Sequence, residues 1–168
     1  MKKNKKLYWL RNVQSQAPSK AIDDFHRHLN KEGKQQACHL CSYFNKHTEI
    51  HPNIVFCSGA VRCRETWESI ASVLPKCPVV YHQFLYLASG YTVLELISFL
   101  EDSIDSVMII GHGRALNELP KLLALSRAQA KVCHKCAHGT FVQIMFDEDV
   151  HWGEINFKKA ELQDIFYP

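Results

Sequence analysis

The chain has 168 residues, of which 46% are hydrophobic and 22% charged, and this size and composition are typical of a single globular domain with a substantial core. The formal net charge of +3 is small and no basic stripe with interleaved aromatic residues appears, so we expect no nucleic-acid partner. The apolar run behind the lysine-rich N-terminus is too short for a signal peptide, and no run is long enough to span a bilayer. With seven cysteines and no export signal, we expect a cytoplasmic protein with reduced thiols and no membrane partner.

Short apolar runs alternate with longer amphipathic segments along most of the chain. The runs predict strands at residues 7–10, 54–57, 79–81 and 106–110. The amphipathic segments predict helices at residues 30–46, 67–74, 93–100 and 116–123. Residues 13–28 are polar and irregular and are predicted to form a loop. Near the end of the chain, residues 140–146 and 150–157 predict a hairpin across the acidic turn at 147–149.

This order of elements determines the fold class that we expect. Strands that alternate with helices predict a three-layer α/β/α fold, in which helices cover both faces of a mainly parallel sheet and the C-terminal hairpin is antiparallel. No repeat, low-complexity tract or Gly/Ser linker marks a boundary, so residues 1–168 are expected to form a single domain. Ligands of such sheets bind outside the carboxyl ends of the strands.

Polar residues follow three of the predicted strands. Arg11 and Asn12 follow the first strand, Ser58 and then Arg62 follow the second, and His112 follows the fourth. Because the carboxyl ends of parallel strands meet at one edge of a sheet, we expect these side chains to converge on one crevice. Two permanently charged guanidinium groups predict an anion site there, while the plainer interpretation is a pair of surface or ion-paired arginines.

Segments spread over the whole chain resemble the histidine phosphatase superfamily, which is phosphoglycerate-mutase-like, and within it the SixA-type phosphohistidine phosphatases. The family's Arg-His-Gly after the first strand is matched by residues 11–13, and its L-x-x-x-G segment by residues 29–33. Its Ser-Pro-x-x-Arg-Ala-x-x-Thr segment is matched by residues 58–66, and its Gly-His-Asn-Pro by residues 111–114. The resemblance extends to an L…F-x-P ending at residues 162–168 and implies the histidine-phosphatase fold.

The resemblance also implies roles for individual residues. In the family the first histidine accepts the phosphoryl group as a phosphohistidine, while two arginines and a second histidine surround the phosphate oxygens. By position, Arg11 and Arg62 would form this phosphate clamp and His112 would be the second histidine, with Asn12 and Ser58 completing the phosphate-binding set. The resemblance implies no cofactor and no metal ligand. It implies a phosphorylated ligand, in the SixA case a phosphohistidine-bearing protein, as the partner.

The sequence departs from the family pattern at the nucleophile, which is replaced by Asn12. An imidazole nitrogen has an in-plane lone pair that can attack phosphorus, whereas the amide nitrogen of asparagine only donates hydrogen bonds. Removing the nucleophile of a catalytic triad costs on the order of 10⁶ in turnover, so we expect phosphate binding with little covalent turnover.

The sequence also departs from the family pattern at the residues after each of the two histidine positions. Val13, in place of the glycine, avoids positive φ, so we expect the loop to take a different path. Gly113 and Arg114 replace Asn-Pro, and Arg114 either adds a third positive charge or, as we expect, faces solvent.

Two cysteine patterns suggest other chemistries. Only four residues separate Cys57 from Arg62, one fewer than the phosphate loop of a cysteine phosphatase needs, and Cys57 ends an apolar strand, so we expect a buried, unreactive thiol. The C-x-x-C pairs at residues 38–41 and 133–136 are much farther apart than the ~15–20 residues typical of zinc sites. The first pair lies on a predicted helix facing the core, so we expect helix-buried thiols rather than zinc ligands.

Three functional hypotheses remain. The first is a phosphate-binding protein of this fold with impaired catalysis, a pseudophosphatase. The second is an active phosphohistidine or phosphomonoester phosphatase that uses His112 or an activated water, with His82, Gln83 and Glu95 as candidate general acids. A phosphohistidine substrate has a good leaving group and needs little acid help. The third is a non-catalytic protein-interaction module that uses a sheet edge or residues 86–91.

Overall fold

The computed structural model describes residues 4–123, 125–126, 129, 136–155 and 160–168. This described part contains six strands: β1 (Lys6–Arg11), β2 (Ile54–Ser58), β3 (Val79–His82), β4 (Ser106–Gly111), β5 (Phe141–Phe146) and β6 (Ala160–Phe166). It also contains four longer helices: α1 (Lys31–Lys46), α2 (Val61–Ile70), α3 (Gly90–Ser98) and α4 (Gly113–Leu122). The loops between them include short 3₁₀ turns at Asp24–His26, Ala71–Val73, Gln83–Leu85 and Trp152–Glu154.

The six strands form one mixed sheet in the order β3-β2-β4-β1-β5-β6. The first four strands in this order run parallel, because the helices after β1, β2 and β3 return the chain to the same end of the sheet. β5 is antiparallel to β1, and β6 is antiparallel to β5. This arrangement confirms the predicted α/β fold class with a C-terminal hairpin.

The sheet separates two hydrophobic clusters, one on each face. Helices α3 and α4 pack on the first cluster, and α1 and α2 pack on the second. β4 is buried along its whole length, and its side chains alternate, with Val107 and Ile109 in the first cluster and Met108 and Ile110 in the second. The layers are therefore helix, sheet and helix. No helix in the described part of the chain is long and apolar enough to cross a membrane.

The start of α1 fixes the loop that follows β1. Asn30 is the N-cap, and its Oδ1 accepts a hydrogen bond of 2.8 Å from the amide of Gly33. Gly33 lies so close to Gln14 that a Cβ atom would come within 1.9 Å of the Gln14 carbonyl oxygen. Glycine at this position therefore lets the loop after Arg11 pack directly on the helix.

The predicted second strand of the hairpin is wrong. The strand that pairs with β5 is β6, and residues 150–155 instead form a connection with a 3₁₀ turn. Val150, Trp152 and Ile155 are all buried in the first hydrophobic cluster. Their apolar spacing therefore reflects packing of a connection on the core rather than a strand.

The expectation that the first C-x-x-C pair faces the core is wrong for Cys38, which is exposed. Cys41 is half-buried and packs against the second hydrophobic cluster. The buried face of α1 is instead formed by Gly33, Ala37, Leu40 and Phe44. Of the second pair, residues 133–135 lie outside the described residues, and Cys136 is buried.

Candidate functional site

The carboxyl ends of three parallel strands meet at one edge of the sheet. β4 pairs with β1 on one side and with β2 on the other. Arg11 is the last residue of β1, Ser58 is the last residue of β2, and His112 directly follows β4. Arg62 lies in the first turn of α2, four residues after Ser58. The fold therefore places all of these residues at the same edge.

His112 is buried at this edge, and both of its ring nitrogens have partners. Nε2 lies 3.0 Å from Oγ of Ser58, and Nδ1 lies 3.4 Å from Nη2 of Arg62. Because a guanidinium only donates hydrogen bonds, Nδ1 must carry the lone pair, and Nε2 donates its proton to Ser58. Burial, and after it the charge of Arg62, lower the pKa of His112 to about 3, so the ring is neutral at physiological pH. The Ser58 hydroxyl thus orients His112, and a direct contact of Ser58 with phosphate stays a prediction.

The guanidinium of Arg62 is buried and binds Asp24. Nη2 of Arg62 lies 3.0 Å from Oδ2 of Asp24, and Nη1 donates to the Asp24 carbonyl oxygen at 2.5 Å. The same carboxylate accepts hydrogen bonds from the hydroxyl of Tyr86 and from Arg27. The hydrogen bond from Tyr86, with those of the two arginines, holds the pKa of Asp24 well below its usual range. Arg62 therefore faces an ionised carboxylate of its own chain.

Sequence reasoning missed Asp24 and Arg27, and it considered Tyr86 only as part of a candidate interaction region at residues 86–91. The first two lie in the irregular loop between β1 and α1, where no periodicity indicates which side chains point inward. The one available signal was the spacing of three residues, which across a turn brings Nη2 of Arg27 within 2.6 Å of Oδ1 of Asp24. Tyr86 follows the 3₁₀ turn after β3, and its ring meets that of His112 edge to face.

The positive charges of three arginines act on His112. Arg62, Arg11 and Arg27 each lower the pKa of His112, whereas the Asp24 carboxylate raises it. One carboxylate offsets only part of the charge of three arginines, and both ring nitrogens of His112 are engaged in a neutral form. The edge of the sheet therefore carries an excess of positive charge, which favours an anion.

Arg11 packs between α4 and the segment before β5. Its Nη1 donates to the carbonyl oxygen of Cys136 at 2.5 Å, and a Cβ atom at Gly113 would lie 2.9 Å from its Cζ. The glycine after His112 therefore makes room for this guanidinium. The Nε of Arg11 is buried without a hydrogen-bond partner in the described part of the chain. Burial lowers the pKa of Arg11, but a guanidinium keeps its charge, so an anion would satisfy this donor.

Asn12 and Val13 are both buried, and their side chains contact neighbouring parts of the protein. The side-chain amide of Asn12 donates to the carbonyl oxygen of Val13 at 2.9 Å. Val13 belongs to the second hydrophobic cluster, and its amide donates to Oγ1 of Thr66 at 3.2 Å. The described non-glycine residues with positive φ are Leu87 and Asp149. Val13 therefore follows the strand with an ordinary backbone conformation and without strain.

A further histidine, His138, lies beside Asn12 and Arg11 in the turn before β5. Its Nδ1 lies 3.2 Å from the carbonyl oxygen of Asn12, and its Nε2 lies 3.5 Å from Nη2 of Arg11. Burial, and then the charge of Arg11, lower the pKa of His138. Sequence reasoning assigned His138 no role at this site, because nothing in the sequence relates residue 138 to residue 12.

The cysteines near the site are not activated. Cys57 is buried, as expected, and desolvation raises its pKa well above the usual value. Cys63 lies 3.7 Å from Nε2 of His112, and burial raises its pKa to about 12. A nucleophilic cysteine needs a lowered pKa, so neither thiol fits that role. Within the described ranges no group of three or more His, Cys, Asp or Glu side chains is arranged to hold a metal ion.

The other candidate residues lie on exposed or apolar surfaces. Arg114 is exposed and pairs with Glu118, with Nε 3.2 Å from Oε1, so it faces solvent as expected. His82 and Glu95, two of the candidate acids, line a groove of 440 Å³ together with the exposed Phe84 and Phe99. Among the described residues, the lining of that groove includes no member of the arginine–histidine site.

The sequence matches no protein-family model and no curated protein. Solved structures are nevertheless similar over nearly the whole chain. The SixA protein of Nakamurella multipartitia, assigned as a phosphohistidine phosphatase, has a TM-score of 0.83 and 20% identity, with 98% of this chain and 96% of that chain covered. For the SixA protein of Agrobacterium tumefaciens, with the same assignment, the TM-score is 0.81 and the identity 21%, with 98% of each chain covered.

A third similar structure is the protein histidine phosphatase SixA complexed with tungstate, with a TM-score of 0.76, 14% identity and 95% of each chain covered. A mycobacterial glucosyl-3-phosphoglycerate phosphatase is more distant, with a TM-score of 0.65 and 13% identity over 96% of this chain and 98% of that chain. At these identities the likeness concerns the fold. The chain has the histidine-phosphatase fold, in the form seen in the SixA proteins.

Proposed function

We propose that this protein binds phosphate, or the phosphoryl group of a phosphorylated ligand, at the sheet edge that carries Arg11, Arg62 and His112. The observation that carries the proposal is the contact of Arg62 with a neutral His112 on which the charges of Arg11 and Arg27 also act, with the Asp24 carboxylate offsetting only part of this positive charge. Planar guanidinium groups present paired donors that match the oxygens of a phosphoryl group. The unpartnered Nε of Arg11 adds a buried donor for such a ligand.

The proposal includes impaired catalysis at residue 12. Asn12 offers an amide that donates to the backbone of Val13, and an amide nitrogen has no lone pair available for attack on phosphorus. A phosphohistidine at this position is therefore impossible. With respect to the family's first histidine, the protein is a pseudophosphatase.

Among phosphorylated ligands, we favour a phosphohistidine-bearing protein. His112 is neutral and receives the hydrogen bond of Arg62 at Nδ1, and Asp24 is ionised, so neither side chain is poised to donate a proton. A phosphomonoester needs such a donor for its alkoxide leaving group, whereas an imidazole leaves from phosphohistidine without one. Cys38, Cys41, Cys57, Cys63 and Cys77 are free thiols, which fits the cytoplasmic location that we propose.

Calorimetric titration with phosphate and with tungstate tests the proposal. We expect both anions to bind wild type, and Arg62→Ala to weaken binding by about tenfold or more, because charge-assisted hydrogen bonds are lost. Arg62→Lys keeps the charge but loses the paired donors, and should give an intermediate loss. The matched control is Arg64→Ala, which removes an exposed arginine of the same helix. Absence of binding by folded wild type, or an affinity unchanged by Arg62→Ala, contradicts the proposal.

The two alternatives have less support. An active phosphatase with His112 as nucleophile has less support because the ring is buried and both of its nitrogens face protein groups, Nε2 facing Ser58 and Nδ1 facing Arg62. A non-catalytic interaction module is favoured by the exposed aromatic side chains of Phe84 and Phe99, which are 76% and 81% exposed beside the apolar groove. Failure of the anion titration in folded wild type would favour this second alternative.

A further inference from the structure

We infer that His138 is a phosphoryl acceptor of this site, in the covalent role for which residue 12 lacks the chemistry. The inference rests on the proposed phosphate binding and goes beyond it, because binding alone needs no acceptor. Its basis is the position of one imidazole, which the chain brings from the turn before β5 to the backbone of Asn12 and to the guanidinium of Arg11.

Two contacts fix the tautomer of His138. The carbonyl oxygen of Asn12 only accepts, so Nδ1 of His138 carries the proton in the 3.2 Å contact between them. Nη2 of Arg11 only donates, so the lone pair of the ring is on Nε2, 3.5 Å away. That separation is long for a hydrogen bond, so the lone pair is only weakly engaged. Nε2 therefore has the electronic form of a nucleophile.

Backbone hydrogen bonds hold the turn that carries the His138 imidazole. The amide of Gly139 donates to the carbonyl oxygens of Arg11 and Asn12 at 3.1 and 3.2 Å, and the amide of Arg11 donates to the carbonyl oxygen of Thr140 at 2.9 Å. Gly139 has a φ of 78°, which favours glycine, and a Cβ atom there would lie 2.5 Å from Cγ of Pro168. The turn that carries His138 is thus tied to the end of β1, where the family's nucleophile would stand.

The charges around His138 are those of the proposed phosphate clamp. After burial, the charges of Arg11, Arg62 and Arg27 lower the pKa of His138, which keeps the ring neutral and its lone pair available at physiological pH. Nη2 of Arg11 lies 3.5 Å from Nε2 of His138, so a phosphoryl group held by that guanidinium would lie next to Nε2. Proximity of this kind is the main requirement for an attack in line with the leaving group.

The reaction needs only the phosphorylated donor and one water molecule. The Nε2 lone pair forms a bond to phosphorus while the bond from phosphorus to the leaving nitrogen breaks; a phosphohistidine donor reacts with its ring protonated on the other nitrogen, so the ring takes the electron pair of the broken bond and departs as neutral imidazole. Nδ1 of His138 keeps its proton, and the Asn12 carbonyl stabilises the imidazolium charge that forms. A water molecule then attacks phosphorus, the Nε2–P bond breaks and returns its electron pair to the ring, and both water protons leave on the phosphate.

The alternative role for His138 is to position Arg11, which the same contacts permit. The two roles differ in where a phosphoryl group goes, so the test is covalent labelling. The full-length protein is incubated with phosphoramidate, a small donor whose leaving group is ammonia. It is then denatured in alkali, which preserves phosphorus–nitrogen bonds, and analysed by intact mass and peptide mapping.

We expect one phosphoryl group per chain, located on His138, and its loss in His138→Asn. Asparagine keeps a donor for the Asn12 carbonyl but has no atom in place of Nε2. The matched control is His151→Asn, which removes an exposed imidazole that pairs with Asp102, and should be labelled like wild type. Label on any other residue, or undiminished label in His138→Asn, overturns the inference.

Phosphate titration of the same samples separates this inference from the proposed function. Unlabelled wild type that still binds phosphate in an Arg62-dependent manner overturns the role of His138 and leaves the proposed function standing. Unlabelled wild type that binds no phosphate overturns both. His138→Asn that binds phosphate with the affinity of wild type, yet takes no label, supports the acceptor role over the positioning role.

Discussion

The carboxylate of Asp24 lies 3.0 Å from Nη2 of Arg62, so the arginine expected to clamp a phosphate already holds an anion of the same chain. Tyr86 and Arg27 donate to that carboxylate as well, and the pKa of Asp24 is held well below its usual range. An arriving phosphoryl group must share these donors or displace the carboxylate. The Asp24 carboxylate therefore competes with an arriving phosphoryl group for the donors of Arg62.

Replacing Asp24 with asparagine should strengthen phosphate binding. Asp24→Asn removes the negative charge that faces Arg62 while keeping an oxygen that accepts hydrogen bonds, and we expect the dissociation constant to fall by about tenfold, or ~1.4 kcal/mol. Calorimetric titration with phosphate measures it. Asp23→Asn is the control, because that exposed carboxylate caps the adjacent turn and asparagine caps equally well. Binding that is unchanged or weaker in Asp24→Asn would show that the carboxylate does not compete.

The buried, neutral His112 should make stability depend on pH. Its pKa is lowered to about 3 in the folded protein, while in the unfolded chain it is about 6.5, so the unfolded state takes up the proton first as the pH falls. The stabilising contribution is complete above pH ~6.5 and is lost progressively towards pH ~3. Between pH 7 and pH 5 this amounts to about 2 kcal/mol.

Urea unfolding of wild type and His112→Gln at several pH values checks this dependence. Glutamine does not titrate, so the decline in the free energy of unfolding between pH 7 and pH 5 should be shallower in the variant by about that amount. All other titrating groups are shared by the two proteins and cancel in the comparison. Parallel curves would mean that His112 takes up a proton in the folded protein as readily as in the unfolded chain.

Introducing the family's first histidine should raise phosphatase turnover. Asn12→His places an imidazole directly after Arg11, and we expect hydrolysis of a phosphohistidine peptide to accelerate by on the order of 10²-fold or more. Because Val13 is buried in the core, Val13→Gly is added only as a second step. The gain should persist when His138→Asn is combined with Asn12→His. No gain in a folded variant that still binds phosphate would contradict the role assigned to this position.

Adding a methyl group at Gly33 should loosen the loop after β1. A Cβ atom there would lie 1.9 Å from the Gln14 carbonyl oxygen, so Gly33→Ala must push the loop away from α1. We expect a loss of about 1–3 kcal/mol in the free energy of unfolding, although alanine is the better helix former. Phosphate affinity should fall as well, because the displaced loop follows Arg11 and Asn12.

The control for this variant is Gly153→Ala. A Cβ atom at Gly153 has the Ser98 carbonyl oxygen as its nearest neighbour, at an ordinary 3.8 Å. Its thermal unfolding and phosphate titration should match those of wild type. If Gly33→Ala is as stable as this control, the loop at Gln14 can move away from α1 at no cost in stability, which contradicts the prediction.

The sequence predicted the architecture well because periodicity reports burial. The helix predicted from residue 30 begins at Lys31 with Asn30 as its cap, and the fully buried run at 106–110 is the central strand β4. The prediction of a strand at 150–157 failed over the described residues 150–155, where buried apolar side chains belong to a connection. An apolar spacing indicates that side chains face a core, and it does so for connections as well as for strands.

The site was predictable only where it lies at strand ends. Arg11, Arg62 and His112 come from the ends of adjacent parallel elements, so topology alone brings them to one edge. Asp24 and His138 come from irregular segments, and their approach depends on turns whose geometry no local pattern specifies. The contact between His138 and Asn12 joins residues 126 positions apart, which only the folded backbone reveals.

That contact involves the main chain of residue 12 and not its side chain. Every amino acid supplies the same carbonyl oxygen, so a substitution at residue 12 keeps the hydrogen-bond acceptor for Nδ1 of His138. The turn at 138–139 has no such freedom, because the acceptor role that we propose requires histidine at residue 138 and residue 139 must tolerate positive φ. Among homologous chains we therefore expect histidine at the later position to accompany loss of histidine at the earlier one.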